Sequence, residues 1–143
     1  MTVALIIASK GHDVATTQPH RTLQEIATVL AEKGIGAVIV TGGDGEVLGI
    51  LSERDIVRAV GRHGADVLKD SVSKHMTSKV VTTTMDEAID HVMEIMTAGR
   101  FRHIPVIHNG RLAGVVSIGD VVKHRLALME SEHRALRDYI ATA

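Results

Sequence analysis

Residues 45–57 and 110–122 repeat one pattern, and a chain built from two copies of one unit has few folds open to it. Gly45-Glu46-Val47-Leu48-Gly49-Ile50-Leu51-Ser52-Glu53-Arg54-Asp55-Ile56-Val57 is matched by Gly110-Arg111-Leu112-Ala113-Gly114-Val115-Val116-Ser117-Ile118-Gly119-Asp120-Val121-Val122. The glycines, the serine and the aspartate recur 65 positions on (45 to 110, 49 to 114, 52 to 117, 55 to 120). Upstream the shift is 66, and Leu23, Ile26, Ala27 and Leu30 answer to Ile89, Val92, Met93 and Met96. The difference falls between Thr41-Gly42-Gly43-Asp44 and Ile107-His108-Asn109, in a turn, where changes of length are tolerated.

Each copy predicts strand, helix, strand, strand, helix. The β-branched stretches Val14–Thr17 and Val80–Thr83 read as extended. Apolar residues at i, i+3, i+4 and i+7 then predict a helix. Thr22-Leu23-Gln24-Glu25 has the spacing of a capping box, and Thr84-Met85-Asp86-Glu87 predicts a similar start for the second helix. Gly34 and Gly99 fall where these helices should stop. Two short strands follow in each copy, and Ser52 and Ser117 open the last helix. Residues 2–9 are strand-like in composition, but their repeat partner Val72–Met76 reads as a helical turn, and a short helix is predicted. Units of about 60 residues bury little surface alone. The expectation is an α/β (α+β) fold of two mutually packed copies, residues 1–68 and 69–130, with a helical extension over 131–143. Val122, Leu126, Met129, His133, Leu136 and Ile140 step by four and three, and the last helix runs on past the repeat. Its apolar stripe is more simply read as covering the chain's own core than as a face for a second subunit.

Composition limits the function. Hydrophobic residues make up 45% and charged residues 23% of the 143, a globular balance. Phe101 and Tyr139 are the only aromatics, too few for base stacking on single-stranded nucleic acid. The net charge of −1 provides no field for nucleic acid or an acidic membrane. With no cysteine there is neither a disulfide framework nor a thiolate metal site, which fits the cytoplasm. The apolar run Val3–Ala8 is too short for a signal peptide or a membrane span.

Few residues here carry chemistry. Ser52-x-x-Asp55 and Ser117-x-x-Asp120 are capping arrangements, the serine oxygen accepting a helix N–H and the carboxylate sitting in the positive first turn. The same groups suit a ligand: a carboxylate can accept hydrogen bonds from two ribose hydroxyls, and helix N–H groups with a serine suit a phosphate. Arg100-Phe101-Arg102-His103-Ile104-Pro105 is either a solvated edge or an anion site, and Arg54 is a further cation. Pro105 suggests a strand edge with backbone left free. Gly42-Gly43-Asp44-Gly45 lacks a following Gly-Lys-Ser/Thr and reads as a hairpin turn. The nine histidines form no His-x-His or His-x-x-x-His pair, and neither serine sits in a Gly-x-Ser-x-Gly elbow. Neither metal binding nor catalysis is expected.

Ile35–Val40 with Gly49–Asp55, and Arg102–Val106 with Gly114–Asp120, resemble the cystathionine-β-synthase (CBS) domain. The resemblance covers nearly the whole chain in two copies. It implies a pseudo-symmetric pair, a Bateman module, that commonly forms homodimers, binds AMP, ADP, ATP, NAD or S-adenosylmethionine between its copies and regulates a partner protein. By resemblance Asp55 and Asp120 would hold ribose hydroxyls, with Ser52 and Ser117 near ribose or phosphate. Backbone at Val38-Ile39 and Ile104-Pro105 would meet adenine, near Thr16 and Thr82, while Arg54, Arg102 and His103 would contact phosphate. The first copy has Gly36-Ala37 where the second has Arg102-His103. The Asp120 site is therefore expected to be the stronger one. With no effector domain recognised, the output is expected to travel through a surface, that of the terminal helix.

Overall fold

A computed structural model describes residues 1–142. The order is α1 (Val3–Lys10), β1 (Thr16–Thr17), α2 (Leu23–Lys33), β2 (Ala37–Thr41), β3 (Val47–Ser52), α3 (Glu53–His63), α4 (Ile89–Gly99), β4 (His103–His108), β5 (Arg111–Ser117) and α5 (Ile118–Thr142). Short 3-10 turns occupy Ala65–Lys69 and Val72–Lys74. This is the mixed α/β architecture of two similar units that the repeat implied.

Each unit centres on an antiparallel hairpin. In β2–β3, Val38 faces Leu51 and Ile39 faces Ile50; in β4–β5, Ile104 faces Val116 and Pro105 faces Val115. Strand β1 joins the first sheet in parallel, Thr16 opposite Ile39. Its counterpart is reduced to one parallel bridge, Thr83 to Val106. The carbonyl of Pro105 accepts the Thr83 N–H at 3.0 Å, so the backbone expected to be free there is used.

The helix ends differ between copies. Thr22 caps α2, its hydroxyl accepting the Glu25 N–H at 3.2 Å, and Gly34 ends the helix in the left-handed region at φ 62°. The predicted start of α4 at Thr84 is wrong by one turn. Thr84 donates to Asp86 Oδ1 at 2.7 Å, Glu87 N–H donates to the Thr84 carbonyl, and the helix begins at Ile89 after an uncapped Ala88. Gly99 is the last helical residue, and the left-handed cap is Arg100 at φ 56°. Arg100 is the counterpart of Gly34, and an L-residue pays a steric cost there.

The cores are exchanged. Val3, Ile6 and Ile7 of α1 pack with Ile89, Val92, Met96, Ile104, Val106, Val116 and Val121. Val67 and Val72, from the segment joining the copies, pack with Leu23, Ile26, Leu30, Val38, Val40, Leu51 and Ile56. Backbone pairing does the same: Val3 N–H donates to Glu87 and Ile89 N–H to Met1, while Leu23 N–H donates to Asp70 and Val72 N–H to Arg21. Each packed unit thus takes its first apolar segment from beside the other unit in the sequence.

Two close approaches fix the register. A Cβ on Gly49 would lie 2.7 Å from Met76 Sδ, and one on Gly114 would lie 2.7 Å from Ile7 Cδ1. Met76 and Ile7 are therefore equivalent. Met76 precedes Thr83 by seven positions, but Ile7 precedes its counterpart Thr17 by ten (76 to 83, 7 to 17). At the same offset Ala8-Ser9-Lys10 answers to Thr77-Ser78-Lys79, so the three additional residues are Gly11-His12-Asp13, and α1 stays helical through Lys10 where its counterpart does not.

The apolar stripe on α5 does not cover the chain's own core, contrary to the simpler reading. Only Val121 of this helix is buried, while Leu126, Met129, Leu136 and Ile140 are 55–66% exposed. Arg125 pairs with Asp90 on α4, and the helix beyond residue 130 stands clear. Among the described residues no helix is long and apolar enough to cross a membrane.

Candidate functional site

Both Ser-x-x-Asp turns form where a β-hairpin strand ends and a helix begins. Ser52 N–H donates to Asp55 Oδ2 at 2.9 Å, the Ser52 hydroxyl donates to the same oxygen at 3.0 Å, and Asp55 N–H donates back to Ser52 Oγ at 3.3 Å. Ser117 N–H donates to Asp120 Oδ2 at 2.9 Å and Asp120 N–H to Ser117 Oγ at 3.1 Å. Capping is therefore a real duty of both pairs. It leaves Oδ1 of both Asp55 and Asp120 without a hydrogen bond among the described residues.

A cavity of about 300 Å³ opens beside Ser52 and Asp55. Its floor is the start of α3, with Glu53, Arg54 and Arg58. One wall is Thr77, Lys79, Val80 and Val81, held by a two-way bridge: Ile50 N–H donates to Thr77 at 3.0 Å and Thr77 N–H to Ile50 at 2.9 Å. The other wall is Gly99–His103, where α4 turns into β4. A methyl group on Gly36 would sit 3.6 Å from the His103 ring, and the two copies meet at this point. Five cations (Arg54, Arg58, Lys79, Arg100, Arg102) line the cavity against the carboxylates of Glu53 and Asp55, a balance that favours an anion.

Of the residues singled out by sequence, Ser52, Arg54, Asp55, Arg102 and His103 come together here. The grouping differs from the expected one: Arg102 and His103 of the second copy line the cavity of the first copy's aspartate. His103 lies between the two aspartates' surroundings: it lines this cavity, pairs with Ser117 across β4–β5, and feels the charges of Lys10 and Asp120.

Asp120 has another partner. Lys10 Nζ lies 2.7 Å from Asp120 Oδ2 and donates to the Val115 carbonyl, also at 2.7 Å. Val115 is the counterpart of Ile50. The contact that the Thr77 backbone makes in the first copy is thus made by a lysine side chain in the second. Burial pushes the Asp120 carboxyl up, but Lys10 and the Ser117 backbone and hydroxyl outweigh it and hold the pKa below the usual value. Burial lowers His103, as does the charge of Lys10, while Asp120 and Glu53 pull it up.

The remaining predicted residues sit elsewhere. Val38, Ile39, Ile104 and Pro105 are buried in strands, and Ile39 N–H donates to Ala15 at 3.0 Å. Thr82 is exposed next to the Val80-Val81 wall. Thr16 lines a separate recess with Gln18 and Arg21. The sequence reading missed Arg58, Lys79, Val80 and Val81. Arg58 was legible as the residue one helical turn beyond Arg54; Lys79 had no signal, since its place depends on the bridge to Ile50.

The CBS domain profile matches residues 7–62 and 70–127. The crystal structure of a CBS-domain containing protein from Agrobacterium tumefaciens is 52% identical, with a TM-score of 0.85 over 87% of this chain and 99% of that one. A CBS domain protein from Pyrobaculum aerophilum, complexed with AMP, is 27% identical, with a TM-score of 0.79 over 91% and 97%. A mitochondrial CBS domain-containing protein of Arabidopsis thaliana is 32% identical over 97% of this chain and 71% of its own length. The two profile matches fall on the two packed copies, and the chain belongs to the CBS-domain family as a tandem pair.

Proposed function

We propose that this chain is a regulatory module that binds a phosphorylated adenosine ligand in the cleft at Asp55 and signals its occupancy to a partner protein in the cytoplasm. The observation that carries this reading is the convergence of Ser52 and Asp55 from one copy with Arg102 and His103 from the other on one cavity. Asp55 Oδ1 can accept from ribose hydroxyls, and the arginines can take a phosphate bidentately. The surplus of cations favours AMP, ADP, ATP or NAD over S-adenosylmethionine, whose sulfonium adds positive charge. The AMP complex of the Pyrobaculum aerophilum relative supports AMP as the first ligand to test.

Self-association through α5 belongs to the same reading. Val122, Leu126, Met129, His133, Leu136 and Ile140 keep the four-three spacing of a coiled-coil seam, which suits a second copy of the same helix. The competing reading is a structural dimer whose clefts stay empty, and the exposed stripe is the observation in its favour.

A thermal-shift series with AMP, ADP, ATP, NAD and S-adenosylmethionine separates the two. A ligand at 100 times its Kd stabilises the fold by about 2.7 kcal/mol. A rise of several degrees with AMP is expected, and no rise with any of the five at millimolar concentration removes the basis of the sensor reading. Removing residues 130–143 should halve the molar mass in solution; an unchanged dimer excludes α5 as the main interface.

A further inference from the structure

The two repeated carboxylates differ in one contact that their shared motif does not encode. Asp55 Oδ2 is held by its own Ser52, through both N–H and hydroxyl. Asp120 Oδ2 takes the Ser117 N–H and the Lys10 ammonium. Lys10 reaches it because α1 stays helical through Lys10, whereas its counterpart Lys79 follows the Thr77 bridge and lines the Asp55 cavity, and the Lys10 Nζ also satisfies the Val115 carbonyl. His12 adds a contact from the same segment to the Ala113 carbonyl at 3.0 Å. In the first copy the corresponding stretch pairs by backbone with Ile50 and leaves a cavity beside Asp55.

We propose that Lys10 sets the ligand affinity of the second copy: its ammonium, 2.7 Å from Asp120 Oδ2, neutralises the carboxylate a ribose would need, so the chain carries one strong nucleotide site and one latched site. The proposal rests on the functional reading above and extends it to the position the sequence favoured. Lys10 and Asp120 remain 35% and 23% exposed at their side chains, so a ligand can reach the pair. The latch weakens the second site and does not abolish it.

Calorimetric titration of AMP into wild type, D55N, K10M/D55N and K10M/D55N/D120N tests this. D55N keeps an acceptor for the Ser52 N–H and isolates the second site; K10M keeps the side-chain stem and removes the charge. The double variant should bind AMP about fivefold tighter than D55N, equivalent to ~1 kcal/mol, and the triple variant should lose that gain. Equal or weaker binding by the double variant overturns the latch, weaker binding meaning that Lys10 contacts the ligand. No uptake by the double variant while wild type binds overturns the latch and leaves the functional reading standing. No uptake by any of the four proteins overturns both.

Discussion

The surroundings of Asp55 and Asp120 differ far more than the turns that hold them. Each carboxylate accepts its serine N–H at 2.9 Å and sits in the first turn of a helix. Around Asp55 the other copy supplies arginines and a histidine, and a backbone bridge holds the wall open. Around Asp120 the end of α1 supplies a lysine that closes on the carboxylate. A duplicated motif therefore fixes a helix start, while the groups that surround its aspartate come from segments elsewhere in the chain.

The largest predicted effect comes from the exchanged segments that create this asymmetry. Ile7 is fully buried and Met76, its counterpart, is half-buried. Ile7→Ala should cost ~2–5 kcal/mol by chemical denaturation, and Met76→Ala clearly less. Equal losses would mean that the two cores depend alike on their exchanged segments. Arg102→Ala comes next, weakening AMP about tenfold or more, as expected for a charged hydrogen bond of ~1.5–3 kcal/mol, with Arg102→Lys restoring only part. An unaffected Kd would remove the second copy from the first copy's site.

Arg100→Gly should act in opposite directions on two readouts. It relieves a left-handed backbone that its counterpart Gly34 adopts without strain, raising stability by ~0.5–1 kcal/mol, while removing a cleft cation and weakening AMP. A loss of both would show that the arginine side chain stabilises the fold. The smallest effect is on pH dependence. His103 titrates lower when folded, so the unfolded chain binds the extra proton and stability falls as pH drops below about 6.5. The depressed Asp120 carboxyl adds stability that is present above about pH 4 and lost as pH falls through its folded value. A melting series on Asp120→Asn should flatten the acid limb and, by removing a charge that pulls His103 up, deepen the fall in stability below about pH 6.5.

The period of the repeat made the fold readable: the helix faces, hairpins and capped helix starts follow from local spacing. The failures were of two kinds. At Thr84 a capping-like tetrapeptide predicts a helix start that the fold does not use, because Thr84 closes a turn with Asp86 instead. At the site, the serines, aspartates and arginines are legible as residues, but the sequence places Arg102 and His103 only beside the nearer aspartate. That they also reach the cavity beside Asp55 depends on how the hairpins pack, which no window of sequence contains. Lys10 stayed hidden for the same reason, being 110 positions from Asp120.

The most direct test is the AMP affinity of Asp55→Ala against Asp120→Ala, measured calorimetrically on folded protein. A site built on Asp55 predicts a loss of about tenfold or more for the first, from removal of a charged acceptor, and little change in the tight site for the second. Equal losses, or a larger loss from Asp120→Ala, would contradict the assignment.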